Sequence, residues 1–198
     1  MKKTILITGA NGFLGRNLCQ ILKENYKILA ISRSQPKFKC IWLEFKGTSV
    51  ANNEYIFRKF KPNYLIHCAG IAHKNLKKRN ISSLIDLNLQ YTKTLAKLSK
   101  INRVERFIYI SSVSIYEFSW KEKKNITENS EINPSNIYGK TKLESEIFIK
   151  KEFKGSNTYF TIFRPPIIYG KNAPGNISKL IKLVDSKFPL PFRNFNNK

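Results

Sequence analysis

At 198 residues the chain has the length of about one domain and can bury a real core. Its 41% hydrophobic content argues against a disordered chain, and no apolar run approaches the roughly 20 residues a membrane helix needs. The net charge of +23 invites a nucleic-acid reading, but the basic residues are scattered over every predicted helix rather than gathered in an aromatic-laced stripe. Nucleic acid is therefore not the expected partner.

The chain alternates apolar runs with helical patterns from its start. Residues 3–8 read as a buried strand, with Ile5, Leu6 and Ile7 in a row. That apolar stretch breaks at Thr8-Gly9, too early for an export signal, so a cytoplasmic location is expected. Residues 13–25 carry apolar side chains at 14, 18, 21 and 22, a helical stripe. Strands follow at 27–32 and 40–45, a short helix at 53–60 before Pro62, and another strand at 64–68. A long helix is predicted over 83–101, a strand over 106–111, and a polar loop over 117–135. A helix over 138–153, a strand over 158–164 ended by Pro165-Pro166, and a helix over 177–185 complete the series. Strands apolar on both faces and separated by helices imply a parallel sheet covered on both sides, an α/β doubly wound fold of the Rossmann type. Cys19, Cys40 and Cys68 lie far apart in sequence without metal or redox spacing, and read as reduced buried thiols.

Three motifs carry chemistry. Thr8-Gly9-Ala10-Asn11-Gly12-Phe13-Leu14-Gly15 joins the first strand to the first helix, where a phosphate-binding turn belongs. Glycine there permits a tight turn and close approach to a pyrophosphate, and the helix N-terminus offers free N–H groups to its charge. Beyond the second strand, Ile31-Ser32-Arg33-Ser34 holds no acid for a ribose hydroxyl. Arg33 could pair with a 2′-phosphate, stack on adenine or stand in solvent, and the expectation favours NADP over NAD. Tyr138 and Lys142 are four apart on a predicted helix, so they share a face. A free phenol titrates at about 10, and a nearby ammonium favours its ionised form, letting Tyr138 act as acid or base. Ser112, 26 residues upstream at a strand end, can hydrogen-bond the substrate oxygen.

On these motifs the chain resembles the extended short-chain dehydrogenase/reductases, within them the sugar-nucleotide epimerase/dehydratase branch. The matching pieces are Thr8–Gly15, His67-Cys68-Ala69-Gly70, Asn88, Ser111–Tyr116, Tyr138–Lys142, and Arg164-Pro165-Pro166-Ile167-Ile168-Tyr169-Gly170. The resemblance implies catalysis by Ser112, Tyr138 and Lys142. Gly9, Asn11, Gly12, Phe13, Leu14, Gly15, Arg33, Ala69, Gly70, Asn88 and Ser111 would bind NAD(P) together with Tyr138 and Lys142. Asn88 would also support the sheet, and Pro165, Pro166 and Ile167 would lie near the nicotinamide. The implied substrate is a sugar nucleotide altered at C4, a UDP-hexose or UDP-N-acetylhexosamine of surface-polysaccharide synthesis. Phe188-Pro189-Leu190-Pro191-Phe192 resembles a segment of members acting on UDP-N-acetylhexosamines. A 4-ketoreductase or a non-catalytic NAD(P)-binding fragment are the alternatives, and a homodimer through the helices at 83–101 and 138–153 is usual for lookalikes.

Some positions depart from the pattern. Glu117 follows Tyr116 where the family shows glycine, and Glu44 is only a loose match for the acid that meets adenine. His73, Asp86 and Glu144 read as solvated residues. Members run longer than this chain, so the expectation is an NAD(P)-binding domain over 1–170 and the start of a substrate-binding region over 171–198, most of which is missing.

Overall fold

The computed structural model describes residues 2–71, 81–116, 125–170, 173 and 176–186. His73, Glu117 and the Phe188–Phe192 segment lie outside the described residues. The chain separates into two compact units, Met1–Pro166 and Ile167–Lys198.

The first unit is built on a six-stranded parallel sheet in the order β3-β2-β1-β4-β5-β6. Its strands are β1 (Thr4–Thr8), β2 (Lys27–Ser32), β3 (Ile41–Glu44), β4 (Tyr64–His67), β5 (Arg106–Ile110) and β6 (Tyr159–Phe163). The helices are α1 (Phe13–Leu22), α2 (Val50–Phe60), α3 (Ile81–Ile85), α4 (Tyr91–Ile101) and α5 (Ile137–Phe153). In the second unit, α6 spans Asn176–Asp185. This is the doubly wound Rossmann-type arrangement read from the alternating pattern.

Alternation along the strands builds two cores. Leu6, Leu29, Ile31, Leu65 and Phe107 face one side, where Phe57 of α2, Leu95 and Leu98 of α4 and Ile149 of α5 pack on them. Ile5, Ile7, Ile28, Ala30 and Ile66 face the other side, against Cys19 of α1. Cys40 and Cys68 pack against this second cluster, so the three thiols, distant in sequence, share one apolar layer and are free. Burial pushes the Cys19 and Cys68 thiols up to about 12, which keeps them protonated and inert.

Two predicted elements differ in a way that matters for the site. The second helix starts earlier, at Val50, because Ser49 caps it by accepting from Asn52 N. The long helix predicted over 83–101 is three pieces: α3, one turn of π-helix over Asp86–Gln90, then α4. Crossing back from β3 to β4 reverses the strand order between β1 and β4, and the crevice at such a switch point is where ligands bind in sheets of this type. Among the described residues no helix is long and apolar enough to cross a membrane.

Candidate active site

The turn after β1 is set by its glycines. Gly9 has φ +68°, and a Cβ there would stand 2.8 Å from Ala69 N. A Cβ on Gly15 would overlap the Gly9 carbonyl oxygen, so α1 lies directly on the turn. Gly12 N donates to Gly9 O at 2.8 Å, and Gly12 is the N-cap of α1. No side chain caps α1, whereas Ser49 caps α2 and Asn136 caps α5. The first-turn N–H groups of α1, including those of Phe13 and Leu14, are thus left for an anion, at the positive end of the helix.

A cleft of about 540 Å³ opens over this turn, lined among others by Gly9, Gly12, Arg33, Ala69, Gly70 and Asp86. At its far end Asn11 Nδ2 donates to Ser34 O at 2.6 Å and Ser34 Oγ at 3.0 Å, tying the glycine turn to the exit of β2. Arg33 is exposed on the cleft wall, while Glu44 does not line it. Asp86 is exposed, as its sequence suggested, yet it stands on the cleft wall. The β2 end of the cleft is therefore cationic and holds no carboxylate among the described residues.

Beside the cleft, α5 carries Tyr138, Lys142 and Glu146 on one face. Lys142 is buried, its Nζ 5.8 Å from the centre of the Tyr138 ring and 4.7 Å from that of Tyr109. It donates to Ile110 O at 2.8 Å. Burial lowers its pKa by penalising the ammonium, and the Tyr138 phenol opposes that shift. Ser112 and Tyr138 are half-buried. Ser112 Oγ accepts from Ser114 N at 3.1 Å and opens the short 3₁₀ turn Val113–Ile115. Gly139 lies against Ser114, so the Ser112 turn and the Tyr138 turn are in contact. Gly70 joins the cleft to this group: a Cβ there would be 3.6 Å from Lys142 Nζ and 3.2 Å from Asn88 Oδ1.

Asn88 is fully buried in the π turn and clamps the chain after β4. Its Oδ1 accepts from Ile71 N at 2.7 Å and its Nδ2 donates to Ile71 O at 3.1 Å. In the π turn the Asn88 carbonyl accepts from Thr92 Oγ1 at 2.7 Å and Ser145 Oγ at 3.0 Å. Pro165 O accepts from Val113 N at 3.2 Å, beside Ser112, whereas the Pro166 side chain is exposed. Ile167 begins the second unit and is exposed.

Two buried networks escaped the sequence reading. His67 is wholly buried, with Nδ1 2.6 Å from Thr8 Oγ1 and Nε2 2.9 Å from Thr92 Oγ1. Because the Thr92 hydroxyl donates to Asn88 O, it must accept from Nε2–H, which leaves Nδ1 to accept from Thr8. Burial, aided by Lys142, pushes this imidazole down to about 3, so it is neutral. The second network is the Glu146–Arg164 ion pair at 2.7 Å, with side chains 1% and 13% exposed. Ser111 Oγ donates to Glu146 Oε1 at 2.5 Å. The signal available for Glu146 was the four-residue step past Tyr138 and Lys142; that for His67 was a polar residue ending an apolar strand.

A parallel switch-point sheet, a glycine turn under an uncapped helix and a buried lysine beside a tyrosine define a dinucleotide-binding α/β domain of the Rossmann type. Over residues 5–188 the sequence matches the NAD dependent epimerase/dehydratase family. The chain belongs to that family. It is 29% identical over 196 residues to a UDP-glucose 4-epimerase of Vibrio cholerae, covering 97% of this chain and 60% of that protein. It is 32% identical over 169 residues to the methionine adenosyltransferase 2 subunit beta of Xenopus laevis, covering 83% of this chain and 47% of that one. In structure it is similar to a UDP-glucuronic acid 4-epimerase of Bacillus cereus solved with NAD, at TM-score 0.75 and 25% identity, covering 94% of this chain and 64% of that one. A dTDP-4-dehydrorhamnose reductase of Bacillus anthracis solved with NADP superposes at TM-score 0.76 and 24% identity, over 94% of this chain and 61% of that one. The chain thus spans about half to two thirds of the length of these relatives.

Proposed function

We propose that this chain is the dinucleotide-binding part of an enzyme that acts at C4 of a UDP-hexose or UDP-N-acetylhexosamine. The observation that carries the reading is Lys142, buried beside Tyr138 and next to the Ser112 turn, at the edge of the glycine-turn cleft. The residues present fit a dinucleotide: the uncapped first turn of α1 would hold its pyrophosphate, and Ala69 and Gly70 would border its path, with Asn88 buried behind Gly70. The nicotinamide, when bound, supplies hydride acceptance and donation.

The chain's own residues supply the proton chemistry. Tyr138 Oη takes the proton of the C4 hydroxyl and returns it to the C4 oxygen in the reverse direction. The Lys142 ammonium stabilises the phenolate as that proton moves, and its bond to Ile110 O fixes where the charge sits. Ser112 Oγ donates to the C4 oxygen as it becomes a carbonyl. Epimerase, dehydratase and 4-ketoreductase reactions share this step and differ in what the sugar does next. Arg33 at the acid-free end of the cleft supports a preference for NADP, its guanidinium matching a 2′-phosphate.

The test mixes the chain, NAD(P) and UDP-hexoses and follows the near-ultraviolet absorbance of the reduced nicotinamide, with product sugars identified by NMR. Sugar-dependent absorbance change or C4 inversion supports the reading; its absence at saturating cofactor sinks catalysis by this chain. The 32% identity to a methionine adenosyltransferase subunit favours one second reading, a dinucleotide-binding subunit without turnover. That reading expects cofactor binding and no sugar chemistry.

A further inference from the structure

Glu146 is the one acidic side chain buried among the described residues. We propose that Glu146, clamped by Arg164, is a positioning residue that sets the Ser111–Ser112 segment after β5 against the Tyr138–Lys142 turn of α5. The inference rests on the reading of Ser112, Tyr138 and Lys142 as the acid–base centre.

Glu146 is spent entirely on this junction. Its Oε1 accepts from Ser111 Oγ at 2.5 Å and from Arg164 Nε at 3.1 Å. Its Oε2 accepts from Arg164 Nε at 3.2 Å and Nη2 at 2.7 Å. The remaining nitrogen of the guanidinium, Nη1, donates to the Tyr116 hydroxyl and, at 3.2 Å, to Glu128 O. One carboxylate thereby ties α5 to the end of β5 and, through Arg164, to the exit of β6 and to the segment that follows Ser112.

Consecutive turns of α5 hold the last residue of β5 and the residue after it. Lys142 holds Ile110 through its carbonyl, and Glu146 holds Ser111 through its hydroxyl. The backbone of Ser111 is fixed from the other side, where its N–H donates to Phe163 O at 2.7 Å. Ser112 therefore leaves a residue pinned on both flanks, and Tyr138 sits one helical turn before Lys142. A buried ion pair that serves stability alone is replaceable by neutral side chains of similar size, since desolvation offsets much of its attraction. The extra bond to Ser111 is what such a replacement would lose.

Two variants separate the roles. Ser111→Ala removes the hydroxyl bond and leaves the ion pair. The double change Glu146→Leu with Arg164→Met removes the bond and both charges, so the net charge is unaltered. In each, the Tyr138 ring is followed at neutral pH by NMR in chain labelled at tyrosine Cζ, its signal assigned by loss in Tyr138→Phe. Release of Ser111 lets the Ser112 turn shift against the Tyr138 turn, so the Tyr138 signal should move in both variants. In turnover assays kcat should fall about tenfold with KM unchanged. Folded variants with an unmoved Tyr138 signal would reduce Glu146 to a structural ion pair. If the unaltered chain turns over no sugar nucleotide, the enzymatic reading fails by itself, and the Tyr138 signal still decides the role of Glu146.

Discussion

Gly139 and Ser114 meet backbone to backbone: a Cβ at residue 139 would overlap the Ser114 carbonyl oxygen and stand 2.9 Å from Pro134 Cβ. The absence of a side chain between Tyr138 and Lys140 is what lets α5 rest on the Ser112 turn. Gly139→Ala must push the two apart. We expect a loss of about 1–3 kcal/mol in denaturant unfolding, typical of overpacking, together with a larger proportional loss of turnover. A variant as stable and active as the parent would show that the contact yields without cost.

Tyr138→Phe removes only the hydroxyl that moves the proton. Turnover should fall by about a hundredfold or more, the range of general acid–base contributions. Cofactor affinity, read by fluorescence of the reduced nicotinamide, should change little. Retained turnover would remove Tyr138 from the mechanism.

Arg33 is the cation at the β2 end of the cleft. Arg33→Ser should weaken NADPH binding by about tenfold, the loss of one charge-assisted contact, and leave NADH nearly unchanged. Calorimetric titration of both cofactors gives the ratio. An equal effect on both would mean that Arg33 stacks on adenine or stands in solvent.

His67 makes the fold acid-sensitive in a definite direction. Its pKa is about 3 when folded, against 6.5 as the ordinary value. The unfolded chain therefore takes up this proton first as pH falls, and the folded state loses stability from about pH 6.5 down towards pH 3. The slope from this one group approaches about 1.4 kcal/mol per pH unit. His67→Gln should show a flatter decline of unfolding free energy between pH 6 and 4 than the parent, whatever its stability at neutral pH. Parallel curves would mean that His67 is protonated in the folded protein.

Asn88→Ala leaves Ile71 N and Ile71 O without their partners. Each buried orphan costs about 1–3 kcal/mol, so unfolding should shift well outside error. Hydrogen exchange at Ile71 should rise first, because the loosened segment is the one that follows β4.

Much of the fold was legible in the chain because strand and helix are local properties. Ile5-Leu6-Ile7 is apolar on both faces, which only a covered strand tolerates, and all six predicted strands fall within a residue or so of their observed limits. The glycine turn was legible for the same reason, since Gly9 needs positive φ and Gly15 needs close packing within a single strand–turn–helix unit. Tyr138 and Lys142 were placed on one face by helical geometry alone.

What the sequence could not decide is where distant polar groups meet. Helical periodicity continues through the π turn at Asp86–Gln90, so nothing local marks the carbonyl of Asn88 as the acceptor for Thr92 and Ser145. Arg164 lies 18 residues beyond Glu146, and only the pairing of β5 with β6 under α5 brings the two together. His67 is neutral because three elements enclose it and give both ring nitrogens a partner. Sequence by itself determined the elements, their order and the parallel sheet, because these follow from short-range sterics and side-chain alternation. Tertiary structure decided which buried charges are paired and which proton carriers are held in place, because burial and hydrogen bonding across the sheet exist only once the chain has closed on itself.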